Sequence, residues 1–127
     1  MCADVEILLI RGNHDLKSGD PWPELSIKCL PEPFEMEKWA CMHHPLENDN
    51  FPYLAGHIHP GYRVQGTGRG SIRDACFWVR KDSIVLPAFG SFTGLMNIMP
   101  SPLEDIYLTN NEEIVKVVTQ KNLRKNR

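Results

Sequence analysis

Val5-Glu6-Ile7-Leu8-Leu9-Ile10, followed at once by Arg11-Gly12-Asn13-His14-Asp15, is the stretch that decides the fold. A short, continuous, β-branched apolar run bounded by glycine reads as a buried strand of the parallel type. Gly12 permits a sharp reversal of the backbone. A polar set then follows at the strand's carboxyl end, where α/β proteins build their ligand sites. The pattern recurs twice. Trp39 to Met42 runs into His43-His44-Pro45, and Tyr53-Leu54-Ala55 runs into Gly56-His57-Ile58-His59. All 5 histidines of the chain fall in these three clusters. Taken singly, each has a plainer reading: Asn-His-Asp is good turn chemistry, and a histidine pair on an edge loop can simply be solvated. Taken together, imidazoles and a neutral amide oxygen converging from three strand ends suit a borderline divalent metal.

The rest of the composition narrows the class. A chain of 127 residues holds one domain with a real core and is too short for two ordinary ones. It is 42% hydrophobic and 24% charged, and no apolar run approaches the length of a signal peptide or membrane span. The expectation is a cytoplasmic protein with no membrane contact. A formal net charge of −2 gives no global attraction for nucleic acid. The cysteines Cys2, Cys29, Cys41 and Cys76 form no C-x-x-C pair and read as reduced thiols. Cys41 is an alternative ligand, but strand alternation puts it in the strand body while His43 stands at the exit.

Further strands are expected at 25–30, 62–64, 72–79, 83–86, 106–108 and 113–118, the last two forming a hairpin around Asn110-Asn111. Residues 15–24 read as a turn-rich connection, and the one helix is expected somewhere in 89–105. Trp22, Trp39 and Trp78 read as core or half-buried aromatics, and Phe89 and Phe92 as a packed turn. The loop at 65–73, with Arg63, Arg69, Arg73 and its glycines, reads equally as a phosphodiester grip and as a flexible hairpin connection. Residues 120–127 form a basic tail with Lys121, Arg124, Lys125 and Arg127.

These motifs carry a resemblance. A strand, then Gly-Asn-His-Asp, then a His pair, then Gly-His-x-His resembles the second half of the calcineurin-like metallophosphoesterase signature. The resemblance implies an α/β fold, part of a four-layer α/β/β/α sandwich, of which this portion is mostly β. It implies Asn13, His43 and His57 as ligands of one metal and His59 as a ligand of a second. His43 is favoured over His44 as the first residue after its strand, with the choice between them open. His14 would be the acid that protonates the leaving oxygen, and Arg63 and Arg69 would bind substrate. The cofactor implied is a divalent metal, manganese first with iron, zinc, nickel or cobalt as alternatives, two ions in the intact family. Gly56 to Pro60, the 63–73 loop, Cys76-Phe77-Trp78 and the 86–94 run Leu-Pro-Ala-Phe-Gly-Ser-Phe-Thr-Gly narrow the likeness further. They resemble the bacterial DNA-ligase-associated phosphoesterases, a subgroup of DNA-damage-response endonucleases. That implies a phosphate-ester substrate, DNA among the options, with a DNA ligase or helicase as partner.

The chain departs from that family in one respect. The first half of the signature, Asp-x-His and Gly-Asp-x-x-Asp, is absent, so residues 1–119 read as a partial domain. Neutral ligands without a carboxylate hold a dication weakly, because nothing offsets its lost hydration. The expectation is a truncated phosphodiester hydrolase, weakly active or inactive as this chain. The alternative is a non-catalytic remnant serving as a metal-binding or scaffold module. An apolar strand lacking neighbours also predicts self-association, with a homodimer as one outcome.

Overall fold

The computed structural model describes residues 5–47, 51–66, 68–110 and 112–118. Cys2, Asn111 and the basic tail at 120–127 lie outside them. Strand β1 (Ile7–Ile10) pairs in parallel with β2 (Ile27–Leu30), Ile7 opposite Ile27 and Ile10 opposite Leu30. Between them run helix α1 (Asn13–Ser18) and a single 3-10 turn (Pro23–Leu25). Arg11 closes this crossover by gripping Asp20 through both carboxylate oxygens, Nε to Oδ1 at 2.7 Å and Nη2 to Oδ2 at 2.6 Å.

The remaining strands make one mixed sheet. They are β3 (Phe34–Met36), β4 (Trp39–Met42), β5 (Tyr53–Ala55), β6 (Pro60–Gln65), β7 (Ser71–Val79), β8 (Ser83–Val85), β9 (Met96–Asn97), β10 (Asp105–Thr109) and β11 (Ile114–Lys116). The order is β11-β10-β7-β8-β5-β4-β3, with β6 alongside β7 and β9 alongside β6. This mostly β architecture with a parallel centre agrees with the fold class expected from the sequence.

The register of that centre positions the site. Strands β4, β5 and β8 are parallel, with Ala40, Tyr53 and Ser83 level in one row and Met42, Ala55 and Val85 level in another. Their next residues, His43, Gly56 and Leu86, therefore leave the sheet side by side. The Gly56 N–H donates to the His43 carbonyl (3.2 Å) and the Leu86 N–H to that of Ala55 (2.7 Å). Alternation sets the faces: Ala40, Tyr53, Ala55 and Val85 are buried on one side, Cys41, Leu54 and Ile84 half-buried on the other. A second buried cluster gathers Cys76, Ile98 and Ile106.

Several local expectations need correction. The α-helix is Asn13–Ser18, where a turn was expected, and no helix occurs in 89–105 among the described residues. Asp15 accounts for it, since its carboxylate accepts the Gly12 N–H at 2.8 Å and satisfies an otherwise orphaned donor at the helix start. Strand β3 was not expected after Pro31-Glu32-Pro33; antiparallel pairing with β4 creates it. Trp22 is exposed rather than packed, and Phe89 and Phe92 stand fully in solvent. Cys29, Cys41 and Cys76 are free thiols, as expected. No helix among the described residues is long and apolar enough to cross a membrane.

Candidate metal centre

Three strand ends deliver the site. Asn13 opens α1 directly after β1, His43 and His44 leave β4, and His57 follows β5. The Nε2 of His43 lies 2.8 Å from Asn13 Oδ1 and 2.9 Å from His57 Nδ1. The His44 ring packs into the same group, its centroid 4.6 Å from that of His43 and 4.4 Å from that of His57. One ring nitrogen from each of the three histidines falls within 4.8 Å of the others.

The chemistry of this donor set fits a cation. His43 Nε2 faces two lone-pair donors at once, an amide oxygen and an imidazole nitrogen. A single ring proton can serve only one of them well; a cation serves all three together. Burial, reinforced by the neighbouring His44 and His57, pushes the His43 pKa below the ordinary imidazole value. Burial together with His44, His59 and His14 does the same for His57. Both rings are therefore held in the neutral form that ligates metal.

Close packing enforces the geometry. A Cβ at Gly12 would overlap the His43 imidazole, 2.7 Å from its Nε2, so only glycine lets β1 end against this ring. In the second knot the left-handed residues are His57 (φ +70) and His59 (φ +50), not the glycine before them. The Ile58 N–H closes back on the Gly56 carbonyl at 2.9 Å, so His57 sits at the centre of a three-residue turn. Side-chain-bearing residues held there cost about 1–3 kcal/mol each and cluster at functional sites.

Glu32 is the residue that sequence reasoning missed. Its Oε2 accepts the backbone N–H groups of His43 (2.7 Å) and His44 (2.9 Å), and its Oε1 lies 2.6 Å from His44 Nδ1. Burial alone would raise this carboxyl's pKa; the bonds from His44 and His43 outweigh it and hold the group below its usual value. With Nδ1 of His44 engaged, its Nε2 is the nitrogen left for a ligand. A carboxylate behind a histidine fixes the ring's tautomer and orientation. The only signal in the sequence was a lone acid between two prolines, 11 residues before His43.

The structure thus brings Asn13, His43 and His57 into direct contact, and His44 joins them. His59 lies outside this group of ring nitrogens, acting on His57 electrostatically, as does His14 from its exposed position on α1. Arg63 donates across the β6–β7 hairpin to Ser71 Oγ (2.8 Å), and Arg69 is exposed at that hairpin's tip.

No family model matches the sequence, and no curated protein does. Among solved structures, the chain is similar to the crystal structure of Pseudomonas putida nuclease MPE, at 36% identity and a TM-score of 0.75. The match covers 89% of this chain and 54% of that one, so the chain spans about half the length of its structural neighbour. This likeness fits a nuclease or phosphoesterase fold.

Proposed function

We propose that this chain forms part of a metal-dependent phosphodiester hydrolase acting on nucleic acid, with Asn13, His43 and His57 holding a divalent cation. The single observation that carries the reading is the convergence of Asn13 Oδ1 and His57 Nδ1 on His43 Nε2. The nuclease neighbour supports the substrate class.

A bound divalent cation supplies Lewis-acid polarisation of a phosphoryl oxygen and lowers the pKa of water. The chain's own residues do the rest. Glu32 orients the His43–His44 turn, and the neutral rings keep their lone pairs available. His14, adjacent to Asn13 in the chain, is assigned to protonate the departing oxygen. His59 lies just past the turn centred on His57, and we assign it to a second ion. Arg63 and Arg69 are cations on the hairpin beyond that turn, and we assign them to phosphate binding. A mixed amide and imidazole set accepts several borderline metals, and manganese is the one chosen for the test.

The test is manganese binding by equilibrium dialysis, paired with cleavage of a single-stranded oligonucleotide. Removing Asn13, His43 or His57 as alanine variants is expected to cut metal uptake at least tenfold, and cleavage is expected to stop in chelator and return with metal. Unchanged uptake in all three variants would sink the reading.

A further inference from the structure

The 86–95 loop is pinned at both ends beside the histidines. It departs where the Leu86 N–H donates to the Ala55 carbonyl, one residue before Gly56. It returns where the Met96 N–H donates to the His59 carbonyl at 2.9 Å, and β9 then pairs with β6. Two contacts fasten the return. Arg73 donates to the Leu95 carbonyl and, at 2.6 Å, to Asn97 Oδ1, and Leu95 packs so closely on Gly61 that a Cβ there would lie 2.8 Å from its own. Inside the loop, Thr93 Oγ1 donates to the Gly90 carbonyl at 3.0 Å.

A loop held this firmly nevertheless presents two phenylalanines with nothing against them. Phe89 is 107% exposed and Phe92 104%. Two fully hydrated aromatic rings oppose the general tendency to bury apolar area. Beside Phe89 is a hollow of about 270 Å³, just under the roughly 300 Å³ at which small-molecule pockets begin. Phe89 lines it together with Asp74, Ser91, Thr93 and Thr109. The Phe89 ring and these hydrogen-bonding side chains together match a nucleobase, which has a flat π-face and a polar edge.

We infer that the 86–95 loop is a base-binding platform for single-stranded nucleic acid, Phe89 and Phe92 stacking on unpaired bases beside the phosphate addressed by the metal centre. Resting on the nucleic-acid reading above, it adds what that reading lacks: contact with bases rather than phosphates, made by two named side chains. Stacking on an aromatic side chain is sequence-tolerant, because every base offers a π-face. The acidic Asp74, which lines the hollow with Phe89, suits the amino edge of a base and disfavours phosphate.

The test is fluorescence anisotropy of the whole chain with a short labelled single-stranded oligonucleotide and its abasic counterpart of equal phosphate count, in manganese and in chelator. The native strand is expected to bind on the order of 10-fold tighter than the abasic one. That ratio should fall to about one in the double variant Phe89→Ala, Phe92→Ala, and equally in Phe89→Leu, Phe92→Leu, since leucine keeps apolar area but has no π-face. Neither ring is packed, so both variants should keep the wild-type melting temperature. The ratio should persist in chelator, where a failed metal reading would leave it standing. Equal binding of native and abasic strands, or leucine variants that bind like wild type, would overturn the platform while leaving metal-dependent hydrolysis intact. So would variants that alter only the sedimentation coefficient, which would assign the rings to self-association.

Discussion

Glu32 Oε1 lies 2.6 Å from His44 Nδ1, while the same carboxylate accepts the backbone N–H groups of the His43–His44 turn. One side chain from the β2–β3 connection thus fixes both the path of the β4 exit and the tautomer of a ring facing the candidate cation. Removing its charge as Glu32→Gln is expected to loosen the His43–His44 turn and weaken manganese binding about 10–100-fold, the usual effect of losing a carboxylate that orients the residues around a metal. Calorimetric titration measures it. The folded-state pKa of Glu32 is depressed, so its contribution to stability is present above its unfolded value near 4.5 and lost as pH falls through the lower folded value. Wild type and variant should therefore converge in acid stability and diverge toward neutrality.

Gly12→Ala and Gly56→Ala make a paired test of packing. The first places a methyl group inside the His43 imidazole and should cost about 1–3 kcal/mol while disrupting metal uptake. The second meets no atom within 4 Å and should leave urea stability within about 0.5 kcal/mol. Equal behaviour of the two would show that His43 has room to move.

Metal and fold are thermodynamically linked if the cation binds only the folded chain. Manganese at about 100 times its dissociation constant should stabilise wild type by about 2.7 kcal/mol. His43→Ala should show no such gain, and differential scanning calorimetry with and without metal reads both.

Tyr53 is fully buried, yet its hydroxyl exchanges hydrogen bonds with the N–H (3.0 Å) and carbonyl (3.1 Å) of Leu46 and accepts one from Arg80 (3.2 Å). These contacts tie the loop after His44 back to β5. Tyr53→Phe leaves the part-buried Leu46 N–H without its acceptor and should destabilise the chain by about 1–3 kcal/mol in chemical denaturation.

Burial pushes the Cys76 thiol up to about 11. At pH 8 the reactive thiolate is then only on the order of 0.1% of that residue. An alkylating reagent should spare Cys76 in the folded chain and modify it rapidly in urea, as peptide mass spectrometry would show.

Much of the architecture was legible because its causes are local. Trp39–Met42 and Tyr53–Ala55 end where apolar residues give way to histidine or glycine, and both strands have the bounds read from sequence. Strand β3 was hidden because three residues between Pro33 and Glu37 carry no pattern of their own; pairing with β4 makes them a strand. Helix α1 was hidden for a different reason. Asp15 works equally well in a turn, and only its bond to the Gly12 N–H discloses the helix.

The sequence by itself determined that polar ligating residues stand at the carboxyl ends of three apolar strands, since hydrophobic patterning and chain breakers act over a few residues. Tertiary structure alone decided which of those residues meet. Parallel register sets His43 level with Gly56, Gly12 leaves space for an imidazole, and Glu32 reaches across to hold the turn. Such choices depend on contacts between residues remote along the chain, where packing geometry rather than local propensity sets the outcome.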